Sequence, residues 1–159
     1  MKRFIFLDID GVLNSYNLAE REYVPGTKII GVEDGLLRNL KMICEAFPDI
    51  EIILISTWKL HWSVDKLLEH DHQGDYLDRR FAEYGMCISD KSKGVASWNR
   101  GEGIKIYLSS QNIEGCRWVV IDDCVFEDYD KEIKKHLVQT DNKTGLSSLN
   151  VSQAIEILK

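Results

Sequence analysis

The chain has little that would tie it to a membrane, an oxidising compartment or a zinc site. Among its 159 residues only four are cysteine (Cys44, Cys87, Cys116, Cys124), with no C-x-x-C pair and no closely spaced histidine partner. Reduced, mostly buried thiols are therefore expected. Proline occurs only twice, as Pro25-Gly26 and Pro48-Asp49, both turn signals rather than parts of a linker. The longest apolar runs, such as residues 50–55, are strand-sized and interrupted by Glu51, far short of a membrane span. No signal-peptide cleavage pattern follows Met1-Lys2-Arg3, so a cytoplasmic location is expected. Basic residues are also in deficit: 20 Lys and Arg face 26 Asp and Glu, a net charge of -6. That balance excludes a general field for attracting nucleic acid, and a polynucleotide ligand would need a local basic patch.

What is present is enough apolar side chain, 44% of residues, to bury the core of one domain over residues 1–159. Residues 3–9 form a near-continuous apolar run ending at Asp10-Gly11, the pattern of a strand buried on both faces. Leu36, Leu37, Leu40, Ile43, Cys44 and Phe47 fall at helical spacing before Pro48. Residues 50–55 predict a second buried strand, and residues 118–121 a third, with 136–139 as a short last one. Helical spacing recurs at Leu67-Leu68, at Leu77, Phe81 and Tyr84, and at Ile104, Tyr107 and Leu108, the last in a helix opened by Arg100 and closed by Gly115. Residues 89–99 read as a loose stretch, and Asn150 is the expected N-cap of a final helix. Strands alternating with helices predict an α/β fold, a three-layer α/β/α sandwich around a mainly parallel, Rossmann-like sheet.

Ligands of such sheets bind beyond the carboxyl ends of the strands. Three of the predicted strands end in reactive residues: Asp8 and Asp10, Ser56 and Thr57, Asp122 and Asp123. Adjacent strands would bring these to one crevice. A carboxylate can attack phosphorus and split hydrolysis into two easier steps through an aspartyl-phosphate. Its repulsion by an anionic phosphate calls for Mg²⁺, which prefers hard oxygen ligands. A second carboxylate can serve as acid and then base, and a hydroxyl with a cation can cradle the phosphate. Capping or turn carboxylates would account for Asp10-Gly11, but not for Asp8 inside an apolar run.

The stretch F-L-D-I-D-G-V-L-N, residues 6–14, resembles the first signature of the haloacid dehalogenase-like (HAD) superfamily. I-L-I-S at 53–56 resembles the second, a strand ending in Ser or Thr, and V-V-I-D-D at 119–123 the fourth, with order and spacing matching along essentially the whole chain. The resemblance implies Asp8 as nucleophile, Asp10 as acid/base and Ser56 (or Thr57) as phosphate ligand. It implies Mg²⁺ held by Asp8, the Asp10 carbonyl and Asp122, with Asp123 as a direct or outer partner. The cation of the third signature is Arg100 or Lys105, with Arg100 preferred because it opens its helix. Lys91 and Lys93 are weaker candidates. Lys59, in S-T-W-K, is a further phosphate-binding candidate, although a surface lysine would look the same. Trp58, Trp62 and Trp98 flank the site in sequence; packing is their expected role, with base stacking as the alternative. His70 and His72 are not on one helix face and are expected to be solvated. Cys124 is expected beside the site as a spectator, its thiol pKa raised by the flanking acids.

Relatives that act on small metabolites usually carry a cap. Here the insert at about 14–48 is mostly consumed by a loop and a needed helix, and 58–99 has room only for a small helical lid, so minimal or no cap is expected. D-G-V-L-N, S-T-W-K, R-G-E-x-I and a late T-x-x-x-x-G-L (140–146) are similar to HAD domains associated with RNA repair and polynucleotide kinase-phosphatases. That finer likeness implies a phosphate monoester substrate at a 3′-phosphorylated nucleic acid end. No obligate protein partner is evident. The alternatives are a HAD phosphatase of small phosphorylated metabolites and a non-catalytic HAD-fold binding or regulatory module. A two-component receiver domain is disfavoured because there the paired acids come early, whereas here they come late.

Overall fold

In a computed structural model, which describes all residues except 18, 20, 69, 95–98 and 113, the first apolar run becomes the central strand β1 (Arg3–Leu7). It pairs in parallel with β2 (Ile50–Leu54) on one side and β4 (Arg117–Asp122) on the other. β3 (Asp90–Lys91) and β5 (Leu137–Gln139) extend the edges, giving an all-parallel sheet in the order β3-β2-β1-β4-β5. With neighbours on both edges and helices on both faces, β1 must be apolar beyond its first residue, and Phe4, Ile5, Phe6 and Leu7 are all fully buried.

Side chains alternate between the two faces. Ile5, Leu7, Ile52, Leu54, Val119 and Ile121 meet α1 (Asp34–Ala46), α2 (His72–Ala82) and α5 (Ser148–Leu158). Phe4, Phe6, Ile53, Trp118 and Val120 meet α3 (Arg100–Ser110) and α4 (Lys131–Lys135). The result is the expected three-layer α/β/α sandwich. α1 buries the predicted stripe Leu36, Leu37, Leu40 and Ile43. No helix of the described residues is long and apolar enough to cross a membrane.

Several local expectations differ. The last helix is capped by Ser147, and Asn150 is the third residue of its capping box. The helix opened by Arg100 stops at Ser110, and Gly115, at φ +91°, lies in a later turn. Leu67 and Leu68 are exposed turn residues. The thiols are not mostly buried: Cys87 and Cys124 lie exposed in loops, and Cys44 and Cys116 are only half-buried. His70 is not solvated. Its side chain is 2% exposed, with Nδ1 accepting from the Ser63 N–H (3.1 Å) and Nε2 facing Asp75 (3.0 Å), which pins the loop before α2. His72 is exposed as expected. Trp58 and Trp62 are packed into the core, 3% exposed each, with no face open for a base. Trp98 lies outside the described residues.

Candidate active site

Parallel pairing sets the site. Leu7 is in register with Ile121, so the next residues, Asp8 just past β1 and Asp122 at the end of β4, lie side by side. The Asp8 N–H closes onto the Ile121 carbonyl at 3.0 Å, and the Ile55 N–H onto the Leu7 carbonyl at 3.0 Å, which brings Ser56 to the other side of Asp8. Asp8 has the parity of Phe6, and Asp122 that of Val120, so both are on the α3 face of the sheet. There Arg100, the first residue of α3, projects its guanidinium between them: Nη1 lies 2.9 Å from Asp122 Oδ2 and 3.3 Å from Asp8 Oδ1. All three are buried, at 5% (Asp8), 6% (Arg100) and 0% (Asp122) relative exposure.

The next acids point elsewhere. Gly11 turns the chain at φ +78°, and a Cβ at that position would run into the Asp123 carboxylate, so Gly11 lets the two loops touch. Asp10 is exposed at the lip. Its Oδ1 accepts from Asn14 Nδ2 (2.9 Å) and its Oδ2 from Trp58 Nε1 (3.2 Å), while Asn14 Oδ1 takes the Gly11 N–H (2.9 Å). The late T-x-x-x-x-G-L segment braces this turn from below. Thr140 Oγ1 donates to the Gly11 carbonyl, and the Leu146 N–H to the Val12 carbonyl, each at 2.8 Å.

Ser56 is buried and caps the short 3-10 turn Thr57–Leu60, accepting from the Trp58 N–H at 3.2 Å; Thr57 is exposed. That turn carries Lys59 inward, to 5% exposure. Among the described residues its ammonium meets only neutral acceptors, Ser92 Oγ and the Lys93 carbonyl, each at 3.3 Å. Burial, then repulsion from Arg100 and Lys91, brings its pKa down to about 8. Lys91 donates to the Lys59 and Trp62 carbonyls, which fixes the turn from β3. Lys105 is not brought to this cluster. Five residues along α3 turn it about 140° away from Arg100, and it is an exposed partner of Asp130. Lys93 is also exposed.

Burial, and then the Asp122 and Asp123 carboxylates, push Asp8 well above the usual carboxylate range, against the opposing pull of Arg100. Asp122 is raised too, chiefly by burial. A divalent cation bound here would favour the ionised carboxylates that burial and crowding disfavour. Asp122, Asp123 and Cys124 offer ligand atoms within 4.8 Å of one another. Asp122 Oδ2 is occupied by Arg100 and the Tyr129 hydroxyl (2.7 Å), and Oδ1 accepts the Cys124 N–H (3.0 Å) with one lone pair to spare. Burial, then Asp123 and Asp122, push the Cys124 thiol up to about 11, so it stays protonated near neutral pH and the hard oxygens fit Mg²⁺ better than a thiophilic ion.

Sequence reasoning missed Asn14, Ser92, Phe126 and Tyr129. Asn14 had a signal, as the final residue of the quoted D-G-V-L-N. Ser92 and Phe126 act through contacts with segments far apart in sequence, Tyr129 through a loop that folds back on Asp122, and none carries a periodic mark.

An all-parallel sheet with an acidic D-x-D-G turn, a buried serine and a buried arginine at one set of strand ends defines a HAD-like α/β domain. A family model described as the HAD domain in Swiss Army Knife RNA repair proteins matches residues 4–151, and the chain belongs to that family. This places it in the hydrolase and phosphatase superfamily, as a phosphatase-type domain. Comparison with curated proteins finds no match.

Proposed function

We propose that this chain is a Mg²⁺-dependent phosphomonoesterase that forms an aspartyl-phosphate on Asp8 and takes 3′-terminal phosphate from nucleic acid. The observation that carries the reading is the charge layout. A buried carboxylate, Asp8, lies against Arg100, which in turn is close enough to repel a buried lysine, Lys59, that has no acidic partner among the described residues, with a second carboxylate, Asp10, at the open lip. A buried cation with no acidic partner, as Lys59 is among the described residues, is costly unless an anion joins it.

Asp8 Oδ attacks phosphorus in line with the ester oxygen. As that P–O bond breaks, Asp10 donates a proton to the leaving alcohol, and the phosphoryl group rests on Asp8. Asp10 then takes a proton from water, whose oxygen attacks the same phosphorus. The bond to Asp8 breaks, returning the carboxylate and inorganic phosphate. Ser56, Lys59 and Arg100 bind the non-bridging oxygens. Asp8, Asp122, Asp123 and the Asp10 carbonyl would hold Mg²⁺, which supplies the charge that lets one anion approach another. Asn14 and Trp58 fix both oxygens of Asp10.

The macromolecular substrate is supported by the family and by the clamping of both inserts. Arg80 on α2 ties down Glu22, Asp34 and the Val32 carbonyl, and Tyr76 takes Glu22 and the Val32 N–H. His61–Asp71 and His70–Asp75 hold the other segment to the same helix. Described residues of both inserts are thus held to α2, and a crevice with minimal or no cap suits a chain end. Phosphate release from a 3′-phosphorylated oligonucleotide, well above that from a 5′-phosphorylated one or from sugar phosphates, is expected. Efficient turnover of sugar phosphates with none of the oligonucleotide would overturn the substrate assignment.

Three smaller effects follow. Lys59 loses its charge in the free protein as pH rises through about 8. Inhibition by tungstate, whose own charge is constant there, should weaken by about tenfold from pH 8 to 9.5 in the wild type and stay flat in Lys59→Arg. Thr140→Val removes the brace on the turn whose Asp10 carbonyl would help hold Mg²⁺. The Mg²⁺ concentration for half-maximal activity and for thermal stabilisation should rise about fivefold, with Thr140→Ser near wild type. Lys105→Ala should leave kcat/KM within about twofold, since the pair it breaks with Asp130 is exposed.

A further inference from the structure

The loop that follows β4, residues 126–129 (F-E-D-Y), closes over the first turn of α3 with three separate contacts. The Phe126 ring covers the Arg100 guanidinium, 4.2 Å from centroid to Cζ. Asp128 Oδ2 accepts the Glu102 N–H at 2.9 Å, a capping bond that Asn99, at the N-cap position of α3, does not make with its own side chain. Tyr129, 1% exposed, donates its hydroxyl to Asp122 Oδ2 at 2.7 Å, the same oxygen that holds Arg100. The two rings brace each other edge to face, with centroids 5.5 Å apart at 69°, and the Tyr129 N–H closes the turn onto the Phe126 carbonyl. Gly101 permits the approach, because a Cβ there would strike the Asp128 backbone.

We infer that Phe126 and Tyr129 are positioning residues that fix the Arg100 guanidinium as a preorganised phosphate-binding fork. This rests on the proposed phosphatase reading. A free arginine must give up rotamer entropy to bind in one geometry. Here the ring fixes the plane of the guanidinium, and Asp122 fixes one edge through Nη1. Among the described residues only Nη1 has a hydrogen-bond partner, which leaves Nε and Nη2 for an anion. Tyr129 has a second effect. Its hydroxyl shares Asp122 Oδ2 with Arg100, so the carboxylate is held in place and part of its charge is drawn off the guanidinium. Without the hydroxyl, Asp122 competes more strongly with phosphate for the same cation. None of this machinery touches substrate, yet it sets how well Arg100 does.

The experiment is calorimetric tungstate binding to the whole chain with Mg²⁺ at pH 7, together with kcat and KM on a 3′-phosphorylated oligonucleotide. Tyr129→Phe keeps the ring and removes only the hydroxyl, and should weaken tungstate about tenfold. Phe126→Leu should weaken it about threefold, and Phe126→Tyr, which restores an aromatic face, should return it to wild type. KM should rise with the tungstate dissociation constant in each weakened variant. A purely structural role would lower the melting temperature and leave tungstate affinity at 25 °C unchanged. Tungstate dissociation constants within twofold of wild type in both Tyr129→Phe and Phe126→Leu would overturn the inference while leaving the phosphatase reading intact. No tungstate binding by the wild-type chain would overturn both.

Discussion

Asp8→Asn should abolish turnover while the domain stays folded. The side chain is 5% exposed and the substitution is isosteric, so packing survives. A carboxamide cannot form the acyl phosphate, and the remaining groups can only stabilise direct attack by water; a loss of at least about 10³ in kcat is expected. Stability should move the other way. Asp8 is raised in the fold above its unfolded value by burial and by Asp122 and Asp123. Its contribution is therefore fully present below the unfolded pKa and is lost as pH climbs through the folded one. In buffer with chelator the wild type should lose stability as pH rises from about 4 towards neutrality, and Asp8→Asn should lose less. At pH 7 the variant should melt no lower than wild type and should gain less from added Mg²⁺. A large drop in melting temperature for Asp8→Asn in chelator would contradict this electrostatic account.

Arg100→Ala should have the second largest effect, and on both properties. Arg100 is the only cation in contact with Asp8 and Asp122 among the described residues, and both carboxylates are buried. Its removal strands them, at a cost of about 3–5 kcal/mol in the absence of metal. It also removes a fixed donor to the developing charge, for a loss of about 10² to 10³ in kcat/KM. Arg100→Lys keeps the charge but loses the planar fork and its stacking on Phe126, so it should recover most of the stability and little of the rate. Melting curves with and without Mg²⁺, set beside kcat/KM for the three forms, check this directly.

Much of the fold was legible because the central strands sit between neighbours and must be apolar. The runs at 3–9, 50–55 and 118–121 mark β1, β2 and β4 for that reason. The edges were legible only in part: 136–139 marks β5, but β3 is the pair Asp90–Lys91 with no apolar run, and α4 has only five residues. Ser147 was passed over as the helix cap because Asn150 has the same capping chemistry three residues later. In the site, strand-end position identified Asp8, Asp10, Ser56, Asp122 and Asp123, since parallel register alone brings those ends together. Sequence preferred Arg100 to Lys105 only for its place at the helix start, because the direction in which a helix residue projects depends on how the helix packs. Lys59 was indistinguishable from a surface lysine for a similar reason: its burial depends on the 3-10 turn and on Ser92, 33 positions away. Asn14, Phe126 and Tyr129 are ordinary letters in a loop until the fold brings them against Asp10, Arg100 and Asp122 respectively.

The account stands on Asp8 as the atom that takes the phosphoryl group. The most direct measurement is rapid acid quench of the Mg²⁺-loaded chain during turnover of a ³²P-labelled 3′-phosphorylated oligonucleotide, followed by borohydride reduction and peptide mapping. Radiolabel that comes and goes with turnover, and conversion of Asp8 alone to homoserine, is the predicted result. Steady phosphate release with no labelled protein, or reduction at Asp10 or Asp123 in place of Asp8, would contradict it.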